Sequence, residues 1–373
     1  MKISIAGQGV TRFGELWDKS LEDLGKEAIE KAINNAHLEP KHINAVFVAN
    51  MAAEQFDGQV HLGALFSSSL PHHPPALRVE GACASGGLAM LAAEDALLSG
   101  RYNTVLVLGV EKMTDHSNEV VTEVLSGAAD REREMLSTFP GLYALVAQLH
   151  MQRYGTTPEQ LAAVAVKNHH NAVLHNPLAQ FHKEITANDV VNSLMVANPL
   201  HLLDCSPITD GAAAVILTTK KVRNAPIIIG RGHGQDSLTF ADRKLLTGFE
   251  ATRRAATQAY KEARVTAIDI NLAELHDCFT IAEIVAYEDL GFCPEGKGGS
   301  FVEKLVDGAN KKHMNHSGGL KACGHPVGAT GVKQIAYLSS LLRQGVGHIA
   351  LSHNVGGLGA TSVIHILTDG RSQ

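Results

Sequence analysis

One cysteine lies in a setting that suits covalent chemistry. Cys83 falls within RVEGACASGGLAMLAAEDALLSG (78–100), where small residues surround it ahead of an Ala- and Leu-rich helical run. The free N–H groups and the positive end of a helix dipole favour a thiolate there, and the thiolate is the nucleophilic form. The small neighbours also leave room for a large acyl group at the sulfur. The alternative is a buried cysteine that fills a tight packing site.

Three further stretches carry groups suited to acid–base chemistry. His276 and Cys278 follow directly on a predicted strand, and ligand crevices in α/β sheets open at that end. His325 lies in a Gly-rich loop ahead of a helix. A Gly-rich turn follows the last but one strand, and its backbone N–H groups are suited to an oxyanion site. This turn contains His353, Asn354, Val355, Gly356 and Gly357.

Each of these stretches also has a purely structural interpretation. A His-Asp-Cys run can end a core strand, a Gly-His-Pro can shape a turn, and a Gly-rich turn can simply join two strands. Together with Cys83, however, the three stretches favour an active site that gathers residues from both ends of the chain.

The elements that must position these residues occur twice along the chain. Each copy reads as strand, helix, strand, a second helix, strand and a closing strand, which predicts an α/β fold with helices covering the sheets. In the first copy, strands and helices are expected at 2–6, 20–36, 43–49, 104–109 and 212–218. Their counterparts in the second copy are expected at 226–230, 249–263, 270–275, 348–353 and 361–367.

A stretch between about 114 and 204 interrupts the first copy and predicts an inserted cap. The resulting division assigns 1–115 and 201–222 to an N-terminal half, 116–200 to the inserted loop or cap domain, and 223–373 to a C-terminal half. Two similar halves favour a pseudo-twofold arrangement with a shared site near the centre.

Composition limits the classes of partner. The 373 residues carry a net charge of −6 without a basic tract, and aromatic residues make up only 5%, which argues against nucleic acid. No apolar stretch is long enough to span a bilayer, and the first residues lack the pattern of a secretory signal. With five scattered cysteines, these features predict a cytoplasmic protein with reduced thiols.

Two other kinds of site remain open from the residues alone. Thiolates and imidazoles are the usual zinc ligands, although the spacing here fits no common zinc pattern. The residues that such a site would use are His276, Cys278, Cys323, His325 and His353. Gly7-Gln8-Gly9 after the first strand suggests a nucleotide-binding dehydrogenase, but the third glycine of that fingerprint is absent.

At these motifs the sequence resembles the thiolase superfamily over essentially its whole length. The resemblance rests on Cys-x-Ser (83–85), Gly-His-Pro (324–326), CSPITDGAAAVIL (205–217) and His-Asp-Cys-Phe (276–279). The last motif is the variant of sterol-carrier-type and archaeal thiolases, and the archaeal acetoacetyl-CoA thiolases are the most similar. The resemblance implies a thiolase fold, with two βαβαβαββ halves in an α/β/α/β/α layering.

The resemblance also implies a mechanism, a Claisen condensation and its reverse. His325 takes the Cys83 proton, Cys83 becomes acetylated, and Cys278 removes an α-proton from a second acetyl-CoA. His325 and a water held by His276 would stabilise the enolate oxygen. A second oxyanion site would use the Cys83 N–H and the turn at 355–357. No metal or redox cofactor is required, because the thioester itself acidifies the α-carbon.

One departure from the family concerns the turn near the C-terminus. Common thiolases carry a second cysteine there, in Cys-x-Gly, whereas this chain has His353 and Val355. Cys278 supplies a replacement thiol. We therefore expect Cys278 to act as the α-proton acid and base, with His353 shaping the turn; the rival hypothesis gives the proton transfer to His353.

The resemblance further implies partners and alternatives. It implies a homodimer or homotetramer acting on acetyl-CoA and acetoacetyl-CoA in the mevalonate pathway. It also implies a complex with HMG-CoA synthase, bridged by a small zinc-ribbon/OB-fold protein. Alternatives are a 3-ketoacyl-CoA thiolase of broader chain length, a decarboxylating ketoacyl synthase and a non-catalytic scaffold subunit. His-Asp-Cys-Phe argues against the synthase, and the presence of Cys83, Cys278 and His325 argues against the scaffold.

Overall fold

The computed structural model describes residues 2–134 and 137–371. Within these ranges it contains twelve strands and thirteen α-helices. The strands are β1 (Ile3–Val10), β2 (Ala45–Ala49), β3 (Ala76–Val79), β4 (Thr104–Glu111), β5 (Met195–Ala197), β6 (Leu200–His201), β7 (Gly211–Thr218), β8 (Ile227–Gln235), β9 (Leu272–Glu274), β10 (His313–Met314), β11 (Ile349–Gly356) and β12 (Thr361–Thr368). The helices are α1 (Leu21–Ala36), α2 (Ala53–Phe56), α3 (Leu62–Ser67), α4 (Ser85–Leu98), α5 (Asn118–Ser126), α6 (Phe139–Tyr154), α7 (Pro158–His175), α8 (Ala187–Val191), α9 (Glu250–Ala263), α10 (Thr280–Asp289), α11 (Gly298–Val306), α12 (Gly319–Cys323) and α13 (Thr330–Gln344).

The internal repeat is visible in the sheet topology. The first half orders its strands β3-β2-β4-β7-β1, and the second half orders its own β10-β9-β11-β12-β8. In each half the three outermost strands pair in parallel: β3, β2 and β4 in the first half and β10, β9 and β11 in the second. The remaining neighbours within each half pair antiparallel. A short antiparallel contact of β1 with β8 joins the two five-stranded parts into one sheet of ten strands. The expected pair of βαβαβαββ halves is therefore confirmed.

One long helix covers the outer face of each half. The Ser20 hydroxyl and the Asp23 carboxylate form a capping box that starts α1, and the helix buries one apolar face against β1 and β7. The helix lies so close that a Cβ on Gly9 would stand 2.4 Å from the Ala28 carbonyl oxygen. Gly9 is thus a packing glycine of β1, not part of a nucleotide-binding turn.

The central layer consists of α4 and α13, one helix from each half. Side chains of both helices share an apolar cluster with residues from both five-stranded parts of the sheet. At their N-terminal ends the backbones touch, since a Cβ on Gly86 would lie 2.8 Å from the Gly331 Cα. This contact brings the segments that precede the two helices, which carry Cys83 and His325, to the same place.

The segment between β4 and β7 contributes α5 to α8 and the β5–β6 hairpin. Helix α7 packs against α10, α11 and α12 of the second half, so the segment predicted as a cap contacts helices that adjoin Cys278 and His325 in the chain. The exact domain boundaries remain a prediction. None of the helices in the described part of the chain combines the length and the apolar character needed to cross a membrane.

Candidate active site

Cys83 lies in a tight turn at the entrance to α4. The turn spans Ala82–Ala84 and leads directly into the helix at Ser85. Ala82 adopts a left-handed φ of 53°, a conformation that costs a non-glycine residue free energy and that occurs at functional turns. The Ser85 hydroxyl donates to the Ala82 carbonyl at 2.6 Å and accepts from the Gly81 N–H at 2.9 Å, which holds the strained turn closed.

His325 is fixed in one tautomer by its neighbour at the start of α13. Its Nδ1 lies 2.7 Å from the Thr330 Oγ1. The Thr330 hydroxyl uses its one proton to donate to the Pro326 carbonyl at 3.0 Å, so it must accept from Nδ1–H. The Nε2 atom of His325 therefore carries a lone pair, and it has no hydrogen-bond partner among the described residues. This nitrogen is available as a base.

His276 is fixed in the opposite tautomer by Asn354. The Asn354 Oδ1 accepts from the Gly87 N–H at 2.9 Å, which orients the amide. Its Nδ2 then donates to the Cys83 carbonyl at 2.8 Å and faces the His276 Nδ1 at 3.4 Å. Because Nδ1 faces a donor, the proton of neutral His276 lies on Nε2. That N–H has no partner among the described residues and is available as a donor.

The three side chains meet at one point. The Cys83 sulfur and one ring nitrogen each of His276 and His325 all lie within 4.8 Å of one another. The two imidazole rings stand edge to face, with centroids 5.1 Å apart. A nucleophile, a base and a donor are thus in mutual reach, which is the arrangement expected of an acyl-transfer site.

Burial keeps all three groups neutral in the free protein. It raises the pKa of the Cys83 thiol to about 12, although the Gly357 N–H opposes this by donating to the sulfur. It lowers the pKa of His325 to about 3 and that of His276 well below its usual value. Desolvation is the largest cause of the raised pKa of Cys83 and opposes the predicted thiolate in the free protein, although Cys83 is only partly buried.

Cys278 lies beside this cluster, behind the end of β9. It is buried, and the Tyr143 hydroxyl lies near enough to its thiol to oppose the rise in pKa that burial causes. Burial, followed by the nearby Cys83 and Asp277, raises the pKa of Cys278 well above its usual value. The two thiols are therefore neighbours, as the resemblance requires.

His353 is also buried nearby, but one of its ring nitrogens already has a hydrogen-bond partner. Its Nε2 lies 3.0 Å from the Thr252 Oγ1 of α9, and its carbonyl accepts from the Gln334 amide at 3.0 Å. Burial lowers the pKa of His353 to about 3. His353 was expected in the turn, but it lies within β11, paired with Ile364 of β12. Which residue moves the α-proton stays a prediction.

The Gly-rich turn packs directly against the Cys83 turn. A Cβ on Gly356 would lie 2.6 Å from the Gly81 carbonyl oxygen, so only glycine allows this approach. The next residue, Gly357, directs its N–H at Cys83, while Val355 is buried within β11. An open cleft of about 400 Å³ begins here, lined among others by Ala82 and both glycines of the turn.

Buried carboxylates hold the loop that carries His325. Asp277 accepts from the Leu320 and Lys321 N–H groups and from the Asn168 amide. Glu111, at the end of β4, accepts from the Gly328 N–H at 2.9 Å on the other side of the loop. The loop is thereby tied to strands of both halves.

Of the five residues weighed as zinc ligands, His276 and His325 lie close together, with Cys83 as their neighbour. Within residues 2–134 and 137–371, only Cys83, His276 and His325 form a group of three such side chains close enough for a metal ion. Cys323 lies in a separate apolar cluster, with its sulfur 3.2 Å from the Asn176 amide.

Four contributors were missed or underrated from the sequence. Thr330 gave no signal beyond its place five residues after His325. Asn354 was expected only as part of the turn, and Tyr143 only as part of the inserted cap. Asn168, in the same segment, is buried on Asp277 and Glu283.

Replacing Thr330 with valine should keep the side-chain shape and remove the acceptor for the His325 Nδ1 proton. We expect alkylation of Cys83 by iodoacetamide, followed by peptide mass spectrometry, to slow by about tenfold or more, because base assistance is weakened. Thr330→Ser keeps the acceptor and should react close to the native rate. Native reactivity in Thr330→Val would contradict the tautomer assignment.

Comparison with known proteins identifies the family. Residues 3–221 match the family model "Thiolase, N-terminal domain" and residues 232–369 match "Thiolase C-terminal domain-like". The chain is 45% identical over 383 aligned residues to an acetyl-CoA acetyltransferase of Methanothermobacter thermautotrophicus, covering 98% of this chain and 99% of that protein.

Two solved structures share the fold. The Ltp2-ChsH2(DUF35) aldolase superposes with a TM-score of 0.84 at 22% identity, covering 100% of this chain and 99% of that chain. Human mitochondrial 3-ketoacyl-CoA thiolase in complex with CoA superposes with a TM-score of 0.77 at 18% identity, covering 98% of each chain. With the family models matching nearly the whole sequence, the chain belongs to the thiolase family of acyltransferases.

Proposed function

We propose that this protein is an acetyl-CoA C-acetyltransferase. It joins two molecules of acetyl-CoA into acetoacetyl-CoA and free CoA, and it catalyses the reverse thiolysis. The observation that carries the proposal is the meeting of the Cys83 sulfur with His325 and His276, whose free nitrogens are an acceptor and a donor. The name of the methanogen relative supports acetyl-CoA as the substrate.

In the first half-reaction Cys83 takes the acetyl group. Cys83 and His325 are both neutral before the reaction. As the Cys83 sulfur attacks the thioester carbonyl and the S–C bond forms, the thiol proton passes to the Nε2 of His325. The tetrahedral intermediate collapses with release of the CoA sulfur, which receives that proton. Acetyl-Cys83, free CoA and neutral His325 remain.

In the second half-reaction Cys278 first transfers its thiol proton to the Nε2 of His325 and then acts as a thiolate. It removes a proton from the methyl group of a second acetyl-CoA, and the electron pair of the broken C–H bond forms the enolate. The enolate carbon attacks the acetyl carbonyl, and Cys83 departs as a thiolate. Protonated His325 returns its proton to the Cys83 thiolate and Cys278 keeps the α-proton, so both thiols and His325 are neutral again.

The developing oxyanions need donors. The N–H groups of Cys83 and Gly357 lie at the sulfur and are suited to the acetyl oxygen; one such donor lowers a barrier by about 3–4 kcal/mol. The Nε2–H of His276 is suited to the enolate oxygen, directly or through water, together with His325 once protonated. No metal or redox group enters this chemistry, because the thioester acidifies the α-carbon.

Incubation with acetyl-CoA should add one acetyl group to Cys83. We expect Cys83→Ala and Cys83→Ser to abolish both acetylation and the thiolysis of acetoacetyl-CoA, while Cys323→Ala, at a buried cysteine outside the cluster, should retain turnover. Mass spectrometry of the peptides locates the label. Acetylation of Cys323 or Cys205 instead would overturn the assignment, and faster thiolysis of longer 3-ketoacyl-CoA would favour the broader chain-length alternative.

Cys278→Ala should separate the two half-reactions. We expect it to acetylate Cys83 normally but to lose deuterium exchange into acetyl-CoA by about 10²–10⁴-fold, since this is the usual contribution of a positioned acid or base. His353→Ala should cause a smaller defect, because its ring is bonded to Thr252. Exchange that survives in Cys278→Ala and disappears in His353→Ala would transfer the role to His353.

We further propose that the protein works as a homodimer or homotetramer in the cytoplasm and supplies HMG-CoA synthase in the mevalonate pathway. The resemblance to archaeal thiolases supports a complex bridged by a small zinc-ribbon/OB-fold protein, in which consumption of acetoacetyl-CoA would draw the condensation forward. A tagged chain should co-purify with both proteins. A monomer by light scattering would contradict even the dimer.

A further inference from the structure

The hydroxyl of Tyr143 lies at the Gly-rich turn and near the Cys278 thiol. Tyr143 lies near the start of α6, in the segment that interrupts the first half, and it is 1% exposed. Its hydroxyl donates to the Gly357 carbonyl at 3.1 Å, and it is near enough to Cys278 to oppose the rise in the pKa of that thiol. The N–H of the same glycine donates to Cys83. One residue therefore connects the surroundings of both cysteines.

Packing holds the Tyr143 ring in this position. The ring stacks on Phe279, the residue after Cys278, with centroids 4.6 Å apart, and it meets the Phe249 ring edge to face at 6.1 Å. A tyrosine held on two faces has little freedom to turn its hydroxyl elsewhere. The hydroxyl is thus placed by the aromatic contacts, not by the hydrogen bonds alone.

The single proton of this hydroxyl has two acceptors to choose between. When Cys278 is a neutral thiol, the proton points at the Gly357 carbonyl. When Cys278 is a thiolate, the charged sulfur is the stronger acceptor, and a small rotation of the O–H bond directs the proton there. The Tyr143 hydroxyl can therefore donate to the Cys278 thiolate when it forms, without movement of the ring.

The other groups around Cys278 oppose the thiolate or act weakly. Burial disfavours it most, and the charges of Cys83 and Asp277 add to this, while the Tyr143 hydroxyl and the Phe279 N–H favour it. Burial raises the pKa of Tyr143 well above its usual value, and the positive charge of buried Arg243 opposes this rise.

We propose that Tyr143 is a catalytic hydrogen-bond donor that stabilises the Cys278 thiolate for α-proton transfer. The inference deepens the proposed function and rests on it. In the step concerned, the C–H bond of acetyl-CoA breaks, an S–H bond forms on Cys278, and the electron pair passes to the enolate oxygen. The Tyr143 proton stays on its oxygen throughout and only changes the acceptor to which it points.

The test compares the two half-reactions in Tyr143→Phe. Cys83 acetylation should stay within about threefold of the native rate, because His325, His276 and the Cys83 turn are untouched. Deuterium exchange into acetyl-CoA should slow by about ten- to a hundredfold, as expected for the loss of a hydrogen bond to a charged group. The pH at which the exchange rate increases should be higher by about one to two units.

A second variant keeps the test decisive if Tyr143→Phe fails to fold. Placing 3-fluorotyrosine at position 143 preserves the shape and makes the hydroxyl a stronger donor. The exchange profile should then move to lower pH, opposite to Tyr143→Phe. Tyr260→Phe is the matched control: its hydroxyl also donates to a backbone carbonyl, that of Leu290 at 2.8 Å, but on α9 away from the thiols.

The outcomes separate the two proposals. A native protein that neither acetylates Cys83 nor exchanges deuterium overturns the proposed function and this inference with it. A native protein that does both, with equal losses in both half-reactions of Tyr143→Phe and no movement of either pH profile, assigns Tyr143 a merely structural role. Unchanged exchange in Tyr143→Phe also overturns the inference and leaves the proposed function standing.

Discussion

The close approach of two helix N-termini is the contact on which the site depends. Helices α4 and α13 meet at Gly86 and Gly331, where a Cβ on either would collide with backbone atoms. The Asn354 amide fits into the same place, and its oxygen would stand 2.3 Å from a Cβ on Gly331. Cys83 and His325 precede these two helices, so any wider spacing would separate the nucleophile from its base.

Buried carboxylates allow irregular loops to lie in the interior. A buried loop leaves backbone N–H groups without sheet or helix partners, and such groups are costly to bury unsatisfied. Glu111 accepts from the N–H groups of Met51, Ala52 and Gly328, and Asp277 accepts from those of two residues of α12. These carboxylates replace the strand pairing that the loops lack, and they connect the two halves of the repeat.

Burial also decides how the chemistry begins. The same desolvation that raises the pKa of Cys83 and lowers that of His325 makes a standing ion pair unfavourable. In the proposed mechanism the proton therefore moves as the substrate reacts, and the N–H groups of Cys83 and Gly357 serve as donors where negative charge develops. Asn354 and Thr330 decide which ring nitrogen gives a proton and which accepts one.

The local pattern of residues in the sequence determined the helices, the strands and the candidate reacting groups. The capped helix at Ser20, the paired strand–helix repeats and the placing of Cys83 and His325 ahead of helices all depend on residues close together in the chain, and the structure agrees with them. What only the tertiary structure decided depends on distant contacts. Asn354 bonds a residue 267 positions away, and Tyr143 reaches Cys278 from an interrupting segment. The neutral state of Cys83 follows from the protein packed around it, because desolvation is a property of the folded surroundings and not of the local sequence.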